Sequence, residues 1–372
     1  MMSSQSVPCR HRFVKPAGPP GAGRGARIRS LQKQPRIDLS ANTSVLGPSP
    51  RAVEAAGREL AEANQYPERQ SAALVSGLAK LHGVGADQIM IGNGAQHVLR
   101  VIAATILGPG DVAVGLAPTY PGYRNASITM RATYKAVAAA GGGYDPAPWV
   151  AAMAGARLAW LCTPNNPTGC VLRHADAVKI VDALPAAGIA VFDETYRDFV
   201  DDPNAADGLA LLKVGAPVIV VHTFSKLYGL AGLRIGYAIA APAQIAAMLD
   251  RLDAFPANRA GQAAAVAALT DIEHQTRSRQ FVLAGRRQLE DGLRRLGVEF
   301  FRSQANFVTA HFGAASDRVL KTALDAGYQL RPMDGQWELP GWLRITVGFD
   351  DHVAGVLRAI EASLASARGA GR

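Results

Sequence analysis

Four stretches of this chain are apolar almost from end to end: DVAVGLAP (111–118), LAWLCTP (158–164), GIAVFDE (188–194) and PVIVVHTF (217–224). A strand with one wet face alternates polar and apolar residues, whereas a strand covered on both faces does not. These runs therefore predict a mostly parallel sheet buried between two layers of helix. The intervening segments agree. Arg51 to Ala63, Ser71 to Leu81, Gln96 to Ile106 and Ala175 to Leu184 read as helices, and further strands are expected at Gln88 to Ile91, TYKAVAA and LRIGYAIA. GPSP ahead of the first helix supplies prolines suited to an entry segment and a first helical turn.

At 372 residues the chain exceeds what one hydrophobic core usually serves, and from about Pro242 its texture changes. Ala- and Arg-rich helical stretches (Ala243 to Ala254, Gln262 to Thr270, Ile272 to Leu296) lead into ANFVTAHF, a helix at Asp317 to Ala326, and LRITVGF. The expected organisation is a basic arm over 1–36, an N-terminal segment over 37–63 packing with the small domain, a large α/β domain over 64–245 and a smaller α/β domain over 246–366.

The net charge of +9 raises the question of a nucleic-acid or anionic-surface partner until its location is considered. Residues 1–36 hold eight basic residues and no acidic one, so the other 31 basic residues nearly balance 30 acidic ones. The charge belongs to the Gly-, Pro- and Arg-rich arm, which lacks apolar periodicity and is expected to be disordered, an over-extended start or a solvated leader. No signal-peptide apolar region and no run of 18 apolar residues is present, which makes the cytoplasm the expected compartment. Cys9, Cys162 and Cys170 show no paired spacing, and the eight histidines form no metal motif, so no zinc is expected. His222 reads as a packed strand-end residue.

Polar signals close three of the apolar runs: NNPTG (165–169), FDET followed by Tyr196, and TFSK ending at Lys226. Ligands of open α/β sheets bind outside the carboxyl ends of strands, which places a site there. In chain order the sequence carries GPSP, YP at Tyr66, GNGA at Gly92, PTY at Pro118, NNPTG, DE-Y, TFSK, GLAGLR and LRITVG. With these nine motifs, over about Asn42 to Gly348, the chain resembles the fold-type I pyridoxal-phosphate enzymes, and most closely the histidinol-phosphate aminotransferase-like branch of class I/II. The resemblance implies a large cofactor-binding domain with a mostly parallel seven-stranded sheet flanked by helices, and a smaller C-terminal α/β domain, as in aspartate aminotransferase.

It also implies a role for each motif residue. Pyridoxal phosphate needs a primary amine to form an imine, and Lys226, at the end of an apolar strand, is that amine and afterwards the general acid/base. Asp193 is the carboxylate beside the pyridine nitrogen, and Asn166 and Tyr196 face the phenolate oxygen. Gly94, Ala95 and Gln96 open a helix whose N–H groups suit a phosphate dianion, joined by Thr223, Ser225 and the cation Arg234. Many relatives have an acidic pair where this chain has Gln96 and His97. Tyr120 stacks on the ring, and Tyr66 reaches the phosphate of a neighbouring subunit, making the active unit a homodimer.

On the substrate side the family pattern assigns a carboxylate arginine to Arg344, a second arginine to Arg331, and a substrate contact to Asn42. Leu46 stands in NTSVLGPSP where histidinol-phosphate-specific relatives have a tyrosine, so an aromatic or aliphatic amino acid is an alternative donor. The expected activity moves an amino group from histidinol phosphate or an aromatic amino acid to a 2-oxo acid such as 2-oxoglutarate. A lyase resembling threonine-phosphate decarboxylase, or a cyclase or oxidase, would use the same scaffold. A non-enzymatic polyanion binder is disfavoured by the joint presence of Lys226, Asp193 and Arg234.

Overall fold

The structure, a computed structural model, describes residues 36–139 and 141–369. The basic arm expected over 1–36 lies outside the described residues except for Arg36.

The strands in chain order are β1 (Ile37–Asp38), β2 (Ile89–Gly92), β3 (Val112–Ala117), β4 (Thr133–Ala138), β5 (Ala156–Cys162), β6 (Ile189–Asp193), β7 (Val218–Thr223), β8 (Gly236–Ile239), β9 (Glu299–Phe300), β10 (Phe307–His311), β11 (Tyr328–Gln329), β12 (Arg331–Pro332) and β13 (Trp342–Thr346). Seven of them form one sheet in the order β2-β8-β7-β6-β5-β3-β4. β3 pairs in parallel with β4 and β5, and β6 with β5 and β7, while β8 runs antiparallel to both β7 and β2.

The apolar runs are strands because both of their faces are covered. Along β6, Ala190 and Phe192 enter one core and Val191 the other; along β7, Val218 and Val220 part in the same way from Ile219 and Val221. All seven side chains are fully buried, and each valine, the isoleucine and the phenylalanine contribute roughly 1.5–3 kcal/mol by leaving water. A charge at Val220 would have no wet face to turn to and would break the sheet at its centre.

A second, antiparallel sheet has the order β12-β13-β10-β9, and β1 pairs in parallel with β11. Its core joins Leu289, Leu293, Val308, Ile345, Val353 and Ile360, drawn from that sheet and from helices Ile272–Arg295 and Asp350–Gly369. The helix expected to run to Ala254 ends at Leu249. Pro256 cannot donate a helical hydrogen bond, and Asn258 caps the next helix by accepting from Gly261 N at 2.7 Å. The strand expected from Gln88 starts at Ile89 and reaches Gly92.

Register brings distant motifs to one edge of the large sheet. Cys162 lies beside Asp193, Thr223 beside Gly236, and Gly236 beside Gly92. The residues just past those strand ends, 163–166, 194–196 and 224–226, therefore share an edge with Arg234, which precedes β8, and with Gly94, which follows β2. Gly236 makes that approach possible: a Cβ there would sit 2.4 Å from Ala95 N.

Candidate active site

A cavity of ≈ 340 Å³ opens at this edge, with Lys226, Asp193, Asn166, Tyr196, Tyr120 and Arg344 among its walls. Lys226 Nζ donates to the backbone carbonyl of Asn42 at 2.9 Å and lies 5.4 Å from the centre of the Tyr196 ring. Burial, reinforced by the charges of Arg344 and Arg234 and opposed by Asp193, lowers the Lys226 amine from 10.5 to about 7. An appreciable fraction is then neutral and nucleophilic near neutral pH.

Asp193, the last residue of β6, is 5% exposed. Its Oδ1 accepts from Thr195 Oγ1 at 2.6 Å and Thr195 N at 3.1 Å, and its Oδ2 accepts from Tyr123 Oη at 2.7 Å. Burial raises its pKa, and the donors of Thr195 and Tyr123, with the charge of Lys226, work against that rise.

Gly94 caps helix Ala95–Ile106 with φ +79°, a left-handed conformation that glycine adopts without penalty. Its missing side chain also leaves room for Arg234, whose guanidinium Nη2 would lie 2.4 Å from a Cβ at Gly94. Helix N–H groups, a guanidinium and the Thr223 and Ser225 hydroxyls, 3.0 Å apart, thus converge on one corner. That is the donor set a phosphate dianion requires.

At the opposite end Arg344 is held between two aromatic rings, its guanidinium carbon 5.3 Å from the Phe307 ring and 5.3 Å from the Trp337 ring. Nη1 donates to Asn166 Oδ1 at 2.5 Å and Nη2 to the Ser40 carbonyl at 2.9 Å, while Nε has no hydrogen-bond partner among the described residues. Burial lowers its pKa to about 10, which still leaves it a cation at neutral pH. Asn42, at φ +55°, links the ends: its Nδ2 donates to Tyr196 Oη at 3.1 Å, its N donates to Thr346 Oγ1 at 3.0 Å, and its carbonyl also accepts from Asn306 Nδ2 at 3.1 Å.

Of the residues singled out in the sequence, Ala95, Gln96, Tyr120, Asn166, Asp193, Tyr196, Thr223, Ser225, Lys226, Arg234, Arg344 and Asn42 line this cavity, and Gly94 backs it. Tyr66 does not line it; its side chain is 78% exposed and stacks on Phe255 of its own chain at 4.6 Å. Arg331 is also off the wall, as the cross-strand partner of Arg344 in the β12–β13 pair, where its charge helps lower the pKa of Arg344. His222 packs behind the sheet, 3.4 Å from Glu194 and stacked on Tyr237. Tyr123, Thr195, Cys162 and Trp337 line the cavity without having been singled out. Tyr123 stands one helical turn after Tyr120 in PTYPGY, a spacing that puts the two on one face.

A family model described as Aminotransferase class I and II matches residues 34–360. The chain belongs to the class I and II aminotransferases. It is 38% identical over 337 residues to a histidinol-phosphate aminotransferase of Symbiobacterium thermophilum, covering 90% of this chain and 92% of that one. It is 35% identical over 367 residues to histidinol-phosphate aminotransferase 1 of Cupriavidus pinatubonensis, with 96% and 97% covered. Among solved structures, the histidinol-phosphate aminotransferase of Sinorhizobium meliloti in complex with pyridoxal-5'-phosphate superposes with a TM-score of 0.83 at 26% identity, over 89% of this chain and 91% of that one. The aspartate aminotransferase of Thermus thermophilus with maleate shares the fold at 21% identity, with a TM-score of 0.77 over 88% and 91%. The α/β fold with its large, mostly parallel sheet is that of these aminotransferases, and this aminotransferase is an enzyme of that class.

Proposed function

We propose that this aminotransferase binds pyridoxal phosphate through Lys226 and transfers the amino group of histidinol phosphate, or of an aromatic amino acid, to a 2-oxo acid such as 2-oxoglutarate. The observation that carries the reading is one cavity holding a half-buried amine whose pKa falls to about 7, a buried carboxylate, and a guanidinium beside a helix N-terminus. The cofactor, when bound, supplies an electron sink for carbanion chemistry.

The residues divide that chemistry among them. Gly94, Ala95 and Gln96 at the helix start, with Thr223, Ser225 and Arg234, would hold the phosphate. Asp193 would face the ring nitrogen, Asn166 and Tyr196 the ring hydroxyl, and Tyr120 the ring face. Lys226 is the base that takes a proton from the substrate and the acid that returns it. Arg344, which lines the cavity with one hydrogen bond on each terminal nitrogen, keeps a second N–H on each for an anionic substrate group. Arg331 and Asn42 complete the substrate side in this reading.

Histidinol phosphate as donor draws support from the names of the relatives and from the two arginines, Arg331 and Arg344, near one end of the cavity. The apolar donor rests on sequence alone: Leu46 stands where a tyrosine is expected for histidinol phosphate, and it does not line the cavity. A panel of histidinol phosphate, phenylalanine, tyrosine and aspartate with 2-oxoglutarate tests the choice: a kcat/KM for histidinol phosphate below that for every amino acid would refute it.

The reading includes a homodimer in which Tyr66 reaches the neighbouring cofactor phosphate, supported by the outward aromatic pair Tyr66 and Phe255. Sedimentation of the pure enzyme as a monomer at micromolar concentration would refute it. The division into an arm (1–36), an N-terminal segment (37–63), a cofactor domain (64–245) and a small domain (246–366) also belongs to this reading, as does a cytoplasmic location. No helix among the described residues is long and apolar enough to cross a membrane.

A further inference from the structure

Tyr123 is 1% exposed on helix Pro121–Thr129, and its ring is locked. It stacks on Trp160 with centroids 5.4 Å apart and planes at 18°, and meets the edge of Tyr120 at 5.5 Å. Trp160 Nε1 donates to Ser127 Oγ at 3.0 Å, and that hydroxyl donates to the Tyr123 carbonyl at 2.9 Å, so the stacked pair is tied to one helix. The phenol therefore reaches Asp193 Oδ2 from a fixed direction, with the Cys162 thiol beside it. A buried phenol needs some acceptor. This one is given to the carboxylate that ends β6 at the floor of the cavity.

A carboxylate offers about four lone-pair sites, and three donors fill all but one of those of Asp193: Thr195 N, Thr195 Oγ1 and Tyr123 Oη. Hydrogen bonds to the ionised form favour that form. Around Asp193 stand the titratable amine of Lys226 and the neutral groups Thr195, Tyr123, Tyr120 and Cys162. Tyr123 is the donor that does not belong to Asp193's own turn.

We propose that Tyr123 is a positioning residue for the reaction: its hydroxyl keeps Asp193 ionised and aimed, so that a proton shared with the cofactor's ring nitrogen stays on the ring. The inference rests on the pyridoxal-phosphate reading above. Loss of the hydroxyl makes the carboxylate more basic, draws the proton from the ring nitrogen, and leaves the ring a poorer electron sink.

The test is Tyr123→Phe, which keeps the stacked ring and removes only the oxygen. In the loaded enzyme the pH midpoint of the cofactor's visible band is expected to move up by about half a unit relative to wild type, because a neutral ring withdraws less charge from the nitrogen bound to Lys226. Thr195→Ala, which takes a donor from the other oxygen, is expected to move it the same way. Loading both proteins with an analogue that has carbon in place of the ring nitrogen is expected to abolish the difference. An unchanged midpoint in Tyr123→Phe, or an equal shift with the analogue, overturns the inference. A wild-type protein that takes up no cofactor would instead overturn the reading beneath it.

Discussion

The amine of Lys226 rests 2.9 Å from the backbone carbonyl of Asn42, a residue 184 positions earlier. Asn42 holds a left-handed backbone at φ +55° and is 1% exposed, so that carbonyl is fixed by the fold. The N-terminal segment thus supplies the polar partner of a half-buried amine flanked by the cations Arg344 and Arg234.

This burial has a kinetic consequence. An amine with a pKa of about 7 becomes competent to attack an aldehyde about three pH units earlier than an exposed lysine. The rate at which apoenzyme takes up pyridoxal phosphate is expected to rise with a midpoint near pH 7. A rate still climbing beyond pH 9 would show an ordinary lysine.

Arg344→Lys is expected to lower kcat/KM for a substrate that carries an anionic group by about 10²-fold or more, because a lysine cannot reproduce the planar fork or the stack between Phe307 and Trp337. Steady-state kinetics with two donors checks this. An unchanged kcat/KM for a carboxylate donor would remove Arg344 from the substrate site.

Gly94→Ala combines two faults: a backbone at φ +79°, ψ 163° that is essentially reserved for glycine and costs any other residue about 1–3 kcal/mol, and a methyl group that displaces the guanidinium of Arg234. The expected outcome is cofactor affinity weakened by about tenfold or more with the fold retained, measured by equilibrium dialysis. Wild-type affinity would show that the corner does not hold the phosphate.

Behind the sheet, burial raises the Glu194 carboxyl from 4.5 to about 8 and lowers the His222 imidazole from 6.5 to about 3. Stability from a carboxyl raised in this way is complete below pH 4.5 and is lost as pH rises through 8; that from His222 is complete above pH 6.5 and is lost as pH falls toward 3. Glu194→Gln keeps an acceptor for Gly208 N and cannot ionise. The melting temperature of this variant relative to wild type is expected to climb by on the order of a few degrees between pH 5 and 8. A flat difference would show that Glu194 is already ionised in the folded protein.

Much of this architecture was readable from the chain because its signals are local. Strands β6 and β7 announce themselves by being apolar on both faces, Asp193 closes a strand, and Lys226 and Asn166 each follow a strand end within a few residues. Contacts that join distant segments were not readable. Tyr123 meets Asp193 across 70 positions and Arg344 meets Ser40 across 304, and nothing in PTYPGY states which carboxylate its second tyrosine will find. The pairing of Glu194 with His222 was likewise silent, since it depends on two strand ends facing the same way. Helix limits moved where caps decided them, as with Asn258.

The claim on which the rest depends is that Lys226 carries the cofactor. Borohydride reduction of the yellow enzyme, followed by digestion and mass spectrometry, reads the attachment point directly. A single pyridoxyl adduct on the peptide containing Lys226 is the expected result. An adduct on Lys213 or Lys135, or a protein that retains no cofactor at all, would contradict the account.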